Sequence, residues 1–459
     1  MEQIAKPHCG ARLDRLPDCR WHTTMFAMVA FGLLVCWSNA VGGLILAQLK
    51  ELGWTDNSTT ATFSAMTTAG MFLGALGGGI IGDKIGRKNA FILYEAIHII
   101  AMVVGAFSPN MHFLIACRFV MGVGLGALLV TLFAGFTEYM PGRNRGTWSS
   151  RVSFIGNWSY PLCSLIAMGL TPLISAEWNW RVQLLIPAVL SLIATVIAWR
   201  SFPESPRWLE SRGRYAEAEK VMLAIEEGVV QQTGKPLPPV ALEDDGKPPR
   251  AVPYSALLTG VLLRRVILGS FVLIAMNVVQ YTLINWLPTI FMTQGINLKD
   301  SIVLNTMSMF GAPFGIFIAM LVMDKIPRKT MGVGLLVLIA VLGYIYSLQT
   351  SMLLITLIGF FLITFVYMYV CYASAVYVPE IWPTEAKLRG SGLANAVGRI
   401  SGIAAPYAVA VLLSAYGVTG VFVLLGAVSI IVAIAIATIG IETKGVSVES
   451  LGIDAVTSK

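Results

Sequence analysis

Residues 83–88 read DKIGRK and residues 324–329 read DKIPRK, so one charged hexamer occurs twice, about 240 positions apart. Charge is scarce in the rest of the chain. Only 12% of the 459 residues are Asp, Glu, Lys or Arg, whereas 56% are hydrophobic. A chain of this composition cannot cover a water-soluble globule with polar side chains. The sequence therefore predicts a membrane protein in which the two hexamers mark equivalent places.

Long apolar runs surround the hexamers. A bilayer core of about 30 Å needs about 20 apolar residues per helical span, and long uninterrupted runs favour helices over the short alternating strands of a barrel. We therefore predict an all-α membrane protein with twelve transmembrane helices. The runs cover residues 25–49, 63–81, 90–107, 113–136, 152–174, 182–199, 266–292, 303–323, 331–348, 353–378, 393–416 and 421–441.

The hexamers belong to a repeat of three matched positions. Each hexamer follows the second run of its own set of six. EYMPGRNRG at 138–146 follows the fourth run, and PEIWPTEAKLRG at 379–390 follows the tenth. PESPR at 203–207 and IETKG at 441–445 follow the sixth and twelfth. Paired halves in this order are typical of transporters built from internal repeats.

The repeat divides the chain into two six-helix halves and three polar segments. Ser205 and Pro206 predict the start of a short linker helix, and Gly213 predicts its end. The segment from residue 234 to 253 is rich in proline and charge and has no helical period, so we expect a linker there. The expected division is 1–23 as an N-terminal tail, 24–201 and 266–441 as the halves, 202–265 as the linker and 442–459 as a C-terminal tail.

The basic residues indicate the orientation in the membrane. Loops after even-numbered runs carry nearly all the Lys and Arg, so both termini and the linker are expected to be cytoplasmic in a multi-pass protein of the cell inner membrane. This topology explains the net charge of +7 better than nucleic-acid binding does. The six cysteines show no disulfide or metal spacing, so we expect no metal and no cofactor.

Several of these motifs together resemble those of the major facilitator superfamily, and within it the sugar-porter-like branch of bacterial metabolite transporters. The loop motif G-x-x-x-D-[RK]-x-G-R-[RK] is met from Gly79 to Lys88, and the motif R-x-x-x-G-x-G-x-G from Arg118 to Gly126. The resemblance covers the whole chain. It implies a cytoplasmic gate formed by Gly79, Asp83, Arg87, Glu138, Arg145, Glu204 and Arg207 in the first half and Asp324, Arg328, Glu380, Arg389 and Glu442 in the second.

The gate also has a physical rationale, because a transporter must separate and rejoin its helix ends in every cycle. Partly solvated ion pairs contribute only about 0.2 to 1 kcal/mol each and are exchanged for water at little cost. Asp83 precedes the third run, where a carboxylate is favoured by the helix dipole. Gly74, Gly78 and Gly79 would let another helix approach closely. The alternative is that the basic residues follow the positive-inside bias alone, which explains neither the carboxylates nor the prolines.

Polar residues inside the spans are the candidates for substrate binding, because burying them in lipid is costly. Asn277, Tyr281 and Asn285 share one helix face of run seven, with Gln280 beside them, and Pro288 is expected to end that helix. These groups could bind a ligand or could act as contacts between helices. Further candidates outside this run are Trp37, Asn157, Tyr372 and Arg399.

Charged residues inside the spans allow two roles. Arg399 could meet an anionic substrate or hold the bundle together, whereas Arg118 is expected to be structural because it lies beside a glycine-packed face. Glu95 and His98 are three residues apart on one helix face and could relay protons, although Glu95 could instead reach water at the helix end.

The sequence as a whole predicts a secondary active transporter of a small polar metabolite, either sugar- or polyol-like or a small organic acid, imported with a proton by a monomer in the lipid bilayer. The branch's paired glutamines in run seven are represented by Gln280 alone, and run one lacks the aspartate of aromatic-acid symporters. A nutrient sensor without transport activity and a drug or metabolite exporter are the alternatives. No nucleophile triad, metal cluster or phosphate loop indicates an enzyme.

Overall fold

The computed structural model describes residues 7–17, 19–35, 37–140, 145–240, 253–382 and 386–444. Within these ranges the chain is helical and contains no strand, which confirms the all-α prediction. Nine of the described helices are long and apolar enough to cross a membrane. The longest of them is long enough to cross twice, so these nine account for ten spans. The other two spans, one and five, are each built from a pair of shorter helices.

We number the spans one to twelve along the chain. They are Arg20–Val35 with Gly42–Glu51, Asn57–Ile85, Arg87–Ala106, Met111–Tyr139, Arg145–Gly156 with Ser159–Leu170, Ala176–Ser201, Gly260–Thr293, Leu298–Met309 with Gly311–Val322, Arg328–Ser347, Met352–Cys371 continued by the π-helix Tyr372–Tyr377 and by Val378–Glu380, and Lys387–Ile439, which contains spans eleven and twelve. The end of the bundle that carries the two hexamers is called the charged end.

Spans one, five and eight are interrupted, although the sequence predicted continuous helices. Pro161 and Pro313 have no N–H to donate to the carbonyl four residues earlier, and the helices break next to those carbonyls, at 157–158 and at Phe310. In span one the break covers residues 37–41, where the Ser38 carbonyl accepts from Arg118 and the Ser38 hydroxyl lies 2.7 Å from His98 Nε2.

One further expectation about a helix end is wrong. Pro288 does not end span seven, which continues to Thr293. The carbonyl that this proline leaves without a helical partner belongs to Ile284, and it lies against Gly43 of span one. Spans eleven and twelve have no loop between them, since Gly417 is the one residue with non-helical angles in that helix.

Spans two and four pack along a line of glycines. A Cβ added at Gly70 or Gly74 would collide with the backbone of span four, and one added at Gly126 would collide with the carbonyl of Met71. The predicted close approach at Gly74 is therefore confirmed, and Gly78 lies against Ala127 in the same way. The predicted close approach at Gly79 is wrong, because an added Cβ there would meet no atom within 4 Å.

Part of the expected N-terminal tail is folded. Helix Cys9–Asp14 packs on the linker helices Pro206–Ser211 and Tyr215–Thr233, and span one begins at Arg20. Their shared apolar core consists of Cys9, Leu13, Leu16, Cys19, Trp208, Leu209, Ala218, Met222, Ile225 and Val229. Gly213 has a φ of 72° between the two linker helices, as the sequence predicted. The proline-rich stretch 241–252 lies outside the described residues.

Candidate functional site

The first hexamer ends in Arg87, which organises the charged end of the first six spans. Its Nη1 donates to Asp83 Oδ1 at 2.6 Å, and its Nε and Nη2 donate to Glu138 Oε1 at 2.9 and 2.7 Å. Arg87 is mostly buried, whereas the side chain of Asp83 is 64% exposed. The guanidinium therefore joins the end of span two to the end of span four.

The second hexamer repeats this arrangement through Arg328. Its Nε and Nη2 form a fork onto the two oxygens of Glu380, at 3.0 and 3.1 Å, and Nη2 also donates to Asp324 Oδ1 at 3.1 Å. Arg328 also donates to the carbonyl of Met323. The two copies of the hexamer thus build the same three-residue cluster at the charged end.

A glutamate from further along the chain completes each cluster. Glu204 Oε1 accepts from the backbone N–H groups of Arg87 and Lys88 at 2.7 and 3.2 Å, where span three begins. Glu442 accepts from Arg328 and Lys329 at 2.8 and 3.1 Å, where span nine begins. The carboxylate at the start of span three is therefore Glu204, and not Asp83 as the sequence analysis expected.

Burial and hydrogen bonding act differently on these two glutamates. Burial raises the pKa of Glu204 above its usual value, because its backbone donors offset desolvation only in part. Burial also works to raise the pKa of Glu442, but the donors at Arg328, Lys329 and Lys444 outweigh it and the pKa is lowered.

Three residues predicted for the gate lie elsewhere or outside the description. Arg207 donates to Asp14 at 3.0 Å and so holds the N-terminal helix. Arg389 stacks over the ring of Tyr254 with its Cζ 5.1 Å from the centroid. Arg145 begins the first helix of span five, and its side chain lies outside the described residues.

The opposite end of the bundle holds the two six-span groups together. Gly43 in span one contacts Ile284 and Asn285 of span seven. Asn57 Nδ2 donates to Ser414 Oγ at 2.9 Å between spans two and eleven, and Asn305 Nδ2 donates to Ser164 Oγ at 3.2 Å. The described ion pairs at the charged end, in contrast, each lie within one group.

Arg118 is a buried cation beside this contact. It is 1% exposed, its Nη1 donates to the Ser38 carbonyl at 2.6 Å, and its Nε donates to Thr67 Oγ1 at 3.2 Å. The guanidinium also lies 4.7 Å above the ring of Phe63. A Cβ added at Gly42 would lie 2.9 Å from Arg118 Nη2 and 3.1 Å from Asn285 Oδ1. These contacts agree with the structural role that the sequence analysis expected.

Glu95 and His98 lie together in the interior. Both are completely buried, and His98 Nδ1 is 3.9 Å from Glu95 Oε2. His98 Nε2 is 2.7 Å from Ser38 Oγ. Neither carboxylate oxygen of Glu95 has a hydrogen-bond partner among the described residues. Glu95 therefore does not reach water at the helix end, which was the alternative in the sequence analysis.

Spans five, seven and ten bring a group of neutral polar side chains together. The rings of Tyr160 and Tyr367 meet edge to face with centroids 5.4 Å apart. Gln280 and Tyr281 lie near the buried Tyr367 hydroxyl, which makes no hydrogen bond of good geometry to a described residue. Of this group the sequence analysis named Gln280 and Tyr281 as site residues. Tyr160 was missed because a single tyrosine in an apolar run gives no signal.

Arg399 lies on the face of span eleven that turns toward this group. Residues 395, 399, 402 and 406 share that face. Gly402 on it contacts both the ring of Tyr281 and the methyl group of Thr68, since an added Cβ would be 3.3 Å from each. Arg399 is half-buried, and its Nη1 is buried without a hydrogen-bond partner in the described part of the chain.

The remaining predicted substrate residues do not form one group. Tyr372 is fully buried, stacks on Tyr377 with centroids 5.0 Å apart and packs against Gly332, close to the Arg328 cluster. Asn277 and Asn157 donate to the carbonyls of Leu273 and Ser153 in their own helices, both at 2.7 Å. Trp37 is 5% exposed and lies in the interruption of span one.

The described residues contain no group of three or more His, Cys, Asp or Glu side chains that could hold a metal ion.

The comparisons with known proteins concern nearly the whole chain. A family model described as "Sugar (and other) transporter" matches residues 23–454. The chain is 93% identical over 459 residues to the putative metabolite transport protein YdjK of Escherichia coli (strain K12), with 100% of both chains covered.

A second relative and a solved structure agree with this match. The chain is 43% identical over 445 residues to the inner membrane metabolite transport protein YdjE of the same strain, covering 96% of this chain and 98% of the other. The inward-open xylose transporter XylE from E. coli matches with a TM-score of 0.73 at 16% identity, covering 94% of this chain and 99% of XylE. The chain is thus a multi-pass membrane protein that belongs to the sugar transporter family of the major facilitator superfamily, and it is a secondary transporter, not an enzyme.

Proposed function

We propose that this transporter imports a small organic acid together with a proton, by alternating access between the halves 24–201 and 266–441. The charged end would face the cytoplasm, with both termini on that side. This orientation is supported by the basic residues at that end. The contacts of spans one with seven and two with eleven would then close the outer side of the transporter.

The observation that carries the substrate class is the unpartnered Nη1 of Arg399. A buried guanidinium nitrogen without an acceptor is costly, so a ligand that supplies one is favoured there. A carboxylate meets this need well, because it accepts two parallel hydrogen bonds from a guanidinium. Tyr281, which contacts the same face of span eleven, would place the rest of the ligand beside spans five, seven and ten.

A sugar- or polyol-like substrate is the second candidate. It is favoured by the neutral donors and acceptors of Gln280, Tyr281 and Tyr367, since hydroxyl groups of a ligand pair with amides and phenols. Such a ligand would leave Arg399 without an anionic partner.

Proton coupling is supported by Glu95, a buried carboxyl group that no described donor reaches. Titratable groups inside a membrane span are expensive to keep and commonly mark ion or proton pathways. Its position next to His98 provides a second group that can exchange a proton.

The test begins with a thermal-shift screen of the purified protein against sugars, polyols, aromatic acids and pyridine carboxylates, because a bound ligand stabilises the folded state. The best ligand and an uncharged analogue are then measured against Arg399→Lys. For an acid we expect the affinity of the charged ligand to fall at least about tenfold, the loss of one charge-assisted hydrogen bond, while the analogue changes little. Arg200→Lys, at an exposed end of span six, is the matched control.

Equal losses for the acid and its analogue would make Arg399 a structural residue and would favour the sugar-like candidate. Uptake into proteoliposomes, with and without an inward proton gradient, tests the coupling. Accumulation that is the same without the gradient would contradict proton symport.

A further inference from the structure

The interior of the first six spans contains a chain of contacts from Glu95 to the contact between spans one and seven. It starts at the two carboxylate oxygens, which are buried and have no hydrogen-bond partner among the described residues. An ionised carboxylate is strongly disfavoured where no donor reaches it. The observed arrangement therefore suits the protonated side chain.

The next two members of the chain are His98 and Ser38. His98 has one ring nitrogen 3.9 Å from Glu95 and the other 2.7 Å from the Ser38 hydroxyl. Ser38 lies in the interruption of span one, where the backbone is not fixed by helical hydrogen bonds on both sides. A small change at the imidazole can therefore move this segment without breaking a regular helix.

The last member is Arg118, which donates to the carbonyl of Ser38. Its guanidinium lies beside Gly42 and Asn285, where the backbones of spans one and seven meet. Arg118 therefore connects Ser38 to the place where spans one and seven meet.

Other charged groups on the packed elements lie toward the ends of the bundle. Span six contributes Arg181, which donates to the carbonyl of Ala106 at the end of span three, and Arg200 at its exposed opposite end. Spans two and three contribute Asp83 and Arg87 at the charged end. Span four contributes Arg118 in the interior and Glu138 at the charged end. Tyr94, on span three itself, donates its hydroxyl to the Gly78 carbonyl. Among the described residues of these elements, His98 is the titratable group in contact with Glu95 in the interior.

We propose that Glu95 binds the transported proton, and that His98 and Ser38 are positioning residues that couple its protonation to closure of the contact between spans one and seven. An ionised Glu95 draws the adjacent His98 toward it, and the Ser38 hydroxyl held by His98 follows, which pulls span one away from span seven. Protonation removes this attraction and leaves Arg118 on the Ser38 carbonyl, as observed. The proposal rests on proton symport as the function.

The experiment measures closure of this end of the bundle without a substrate. A variant with Asn57→Cys and Ser414→Cys carries one cysteine on each side of the contact between spans two and eleven at the same end, where the native side chains are 2.9 Å apart. The rate of cross-linking is measured in proteoliposomes at acidic and alkaline pH and is divided at each pH by the alkylation rate of the Asn57→Cys thiol alone, because the thiolate fraction itself rises with pH. We expect faster cross-linking at acidic pH by at least about fivefold, the lower end of typical coupling between sites.

Variants in this background separate the parts of the chain. Glu95→Gln should cross-link quickly at both pH values, and Ser38→Ala should lose the pH response. Ser38→Thr should restore it because the hydroxyl is kept. Ser191→Ala is the matched control, since Ser191 is a buried serine of span six whose hydroxyl has no described partner, and it should respond as the parent does.

A pH response that survives in Glu95→Gln or in Ser38→Ala would overturn the proposal. Loss of the pH response in both Glu95→Gln and Ser38→Ala would support coupling of Glu95 protonation to closure. If the wild type at the same time accumulated no substrate with a proton gradient, the proposed symport would be contradicted. Failure of the inference and failure of the proposed function are therefore distinguishable.

Discussion

Glu204 and Glu442 occupy equivalent positions 238 residues apart, each accepting hydrogen bonds from the first two backbone N–H groups of the helix that follows a hexamer. The helix dipole favours a negative charge at both places. The two sites differ in burial. As a result the pKa of Glu204 is raised and that of Glu442 is lowered.

This difference predicts opposite pH dependence for two matched variants, Glu204→Gln and Glu442→Gln. A lowered pKa stabilises the folded state above the ordinary value of 4.5, and this contribution is lost as the pH falls through the folded pKa. The melting temperature of the wild type relative to Glu442→Gln should therefore fall on acidification. Relative to Glu204→Gln it should fall as the pH rises above 4.5, because the raised pKa favours the protonated form. Slopes of the same sign would contradict this assignment.

The fork between Arg328 and Glu380 predicts a large effect of Arg328→Lys. Lysine cannot make two parallel bonds to one carboxylate, and charge-assisted hydrogen bonds to partly buried groups contribute about 1.5 to 3 kcal/mol each. We expect a clear drop in the melting temperature of the purified protein and slower transport. Arg200→Lys, exposed at the end of span six, should change neither. A variant that melts like the wild type would show that the fork adds little to stability.

The glycine contacts predict a difference between two positions on span two. Gly74→Ala places a methyl group against the backbone of Val123, and overpacking of this kind costs about 1 to 3 kcal/mol. Gly77→Ala meets no atom within 4 Å and should be neutral or slightly stabilising, since alanine favours a helix by about 1 kcal/mol. Melting curves of the two variants in one detergent make the comparison. Equal destabilisation would contradict the packing of spans two and four.

The N-terminal helix predicts that Arg12 protects the linker. Arg12 Nη2 and Nε donate to the two oxygens of Glu226 at 2.7 and 3.0 Å, and Nη1 donates to Glu219 at 2.5 Å. Loss of about 1 kcal/mol from local unfolding would speed proteolysis of the linker about fivefold in Arg12→Ala. The matched control is Arg214→Ala, which removes an exposed ion pair with Glu217. If Arg12→Ala is cleaved at the same rate as the control, docking of the N-terminal helix does not protect the linker.

The sequence identified the number and class of the helices because hydropathy reports directly on lipid burial. It failed where a local effect interrupts an apolar run. The breaks at 157–158 and at Phe310 arise because Pro161 and Pro313 cannot donate a hydrogen bond to the carbonyl four residues earlier. Both breaks could have been predicted from the sequence. The break at 37–41 depends on the contacts of Ser38 with His98 and Arg118, and no local pattern predicts such contacts.

The candidate site was predictable to a similar extent. Arg87, Glu138, Arg328 and Glu380 lie in segments that the repeat located, and the resemblance to the major facilitator superfamily assigned them to the gate. The roles of Glu204 and Glu442 as helix caps were missed, since each joins residues more than 100 positions apart. The interaction of Arg207 with Asp14 was missed because a segment with mixed charge and few apolar residues looked like a solvated tail.

Gly417 connects spans eleven and twelve without a loop, as one residue with a φ of 65° at the kink between their two helices. Glycine has the most permissive backbone angles of any residue, so span eleven can tilt by pivoting at this position. Arg399 lies on span eleven, and Val421, at the start of span twelve, is completely buried in a cluster with Trp286 of span seven. Gly417 is therefore a hinge, at which span eleven can tilt with a bound ligand while span twelve stays packed on span seven.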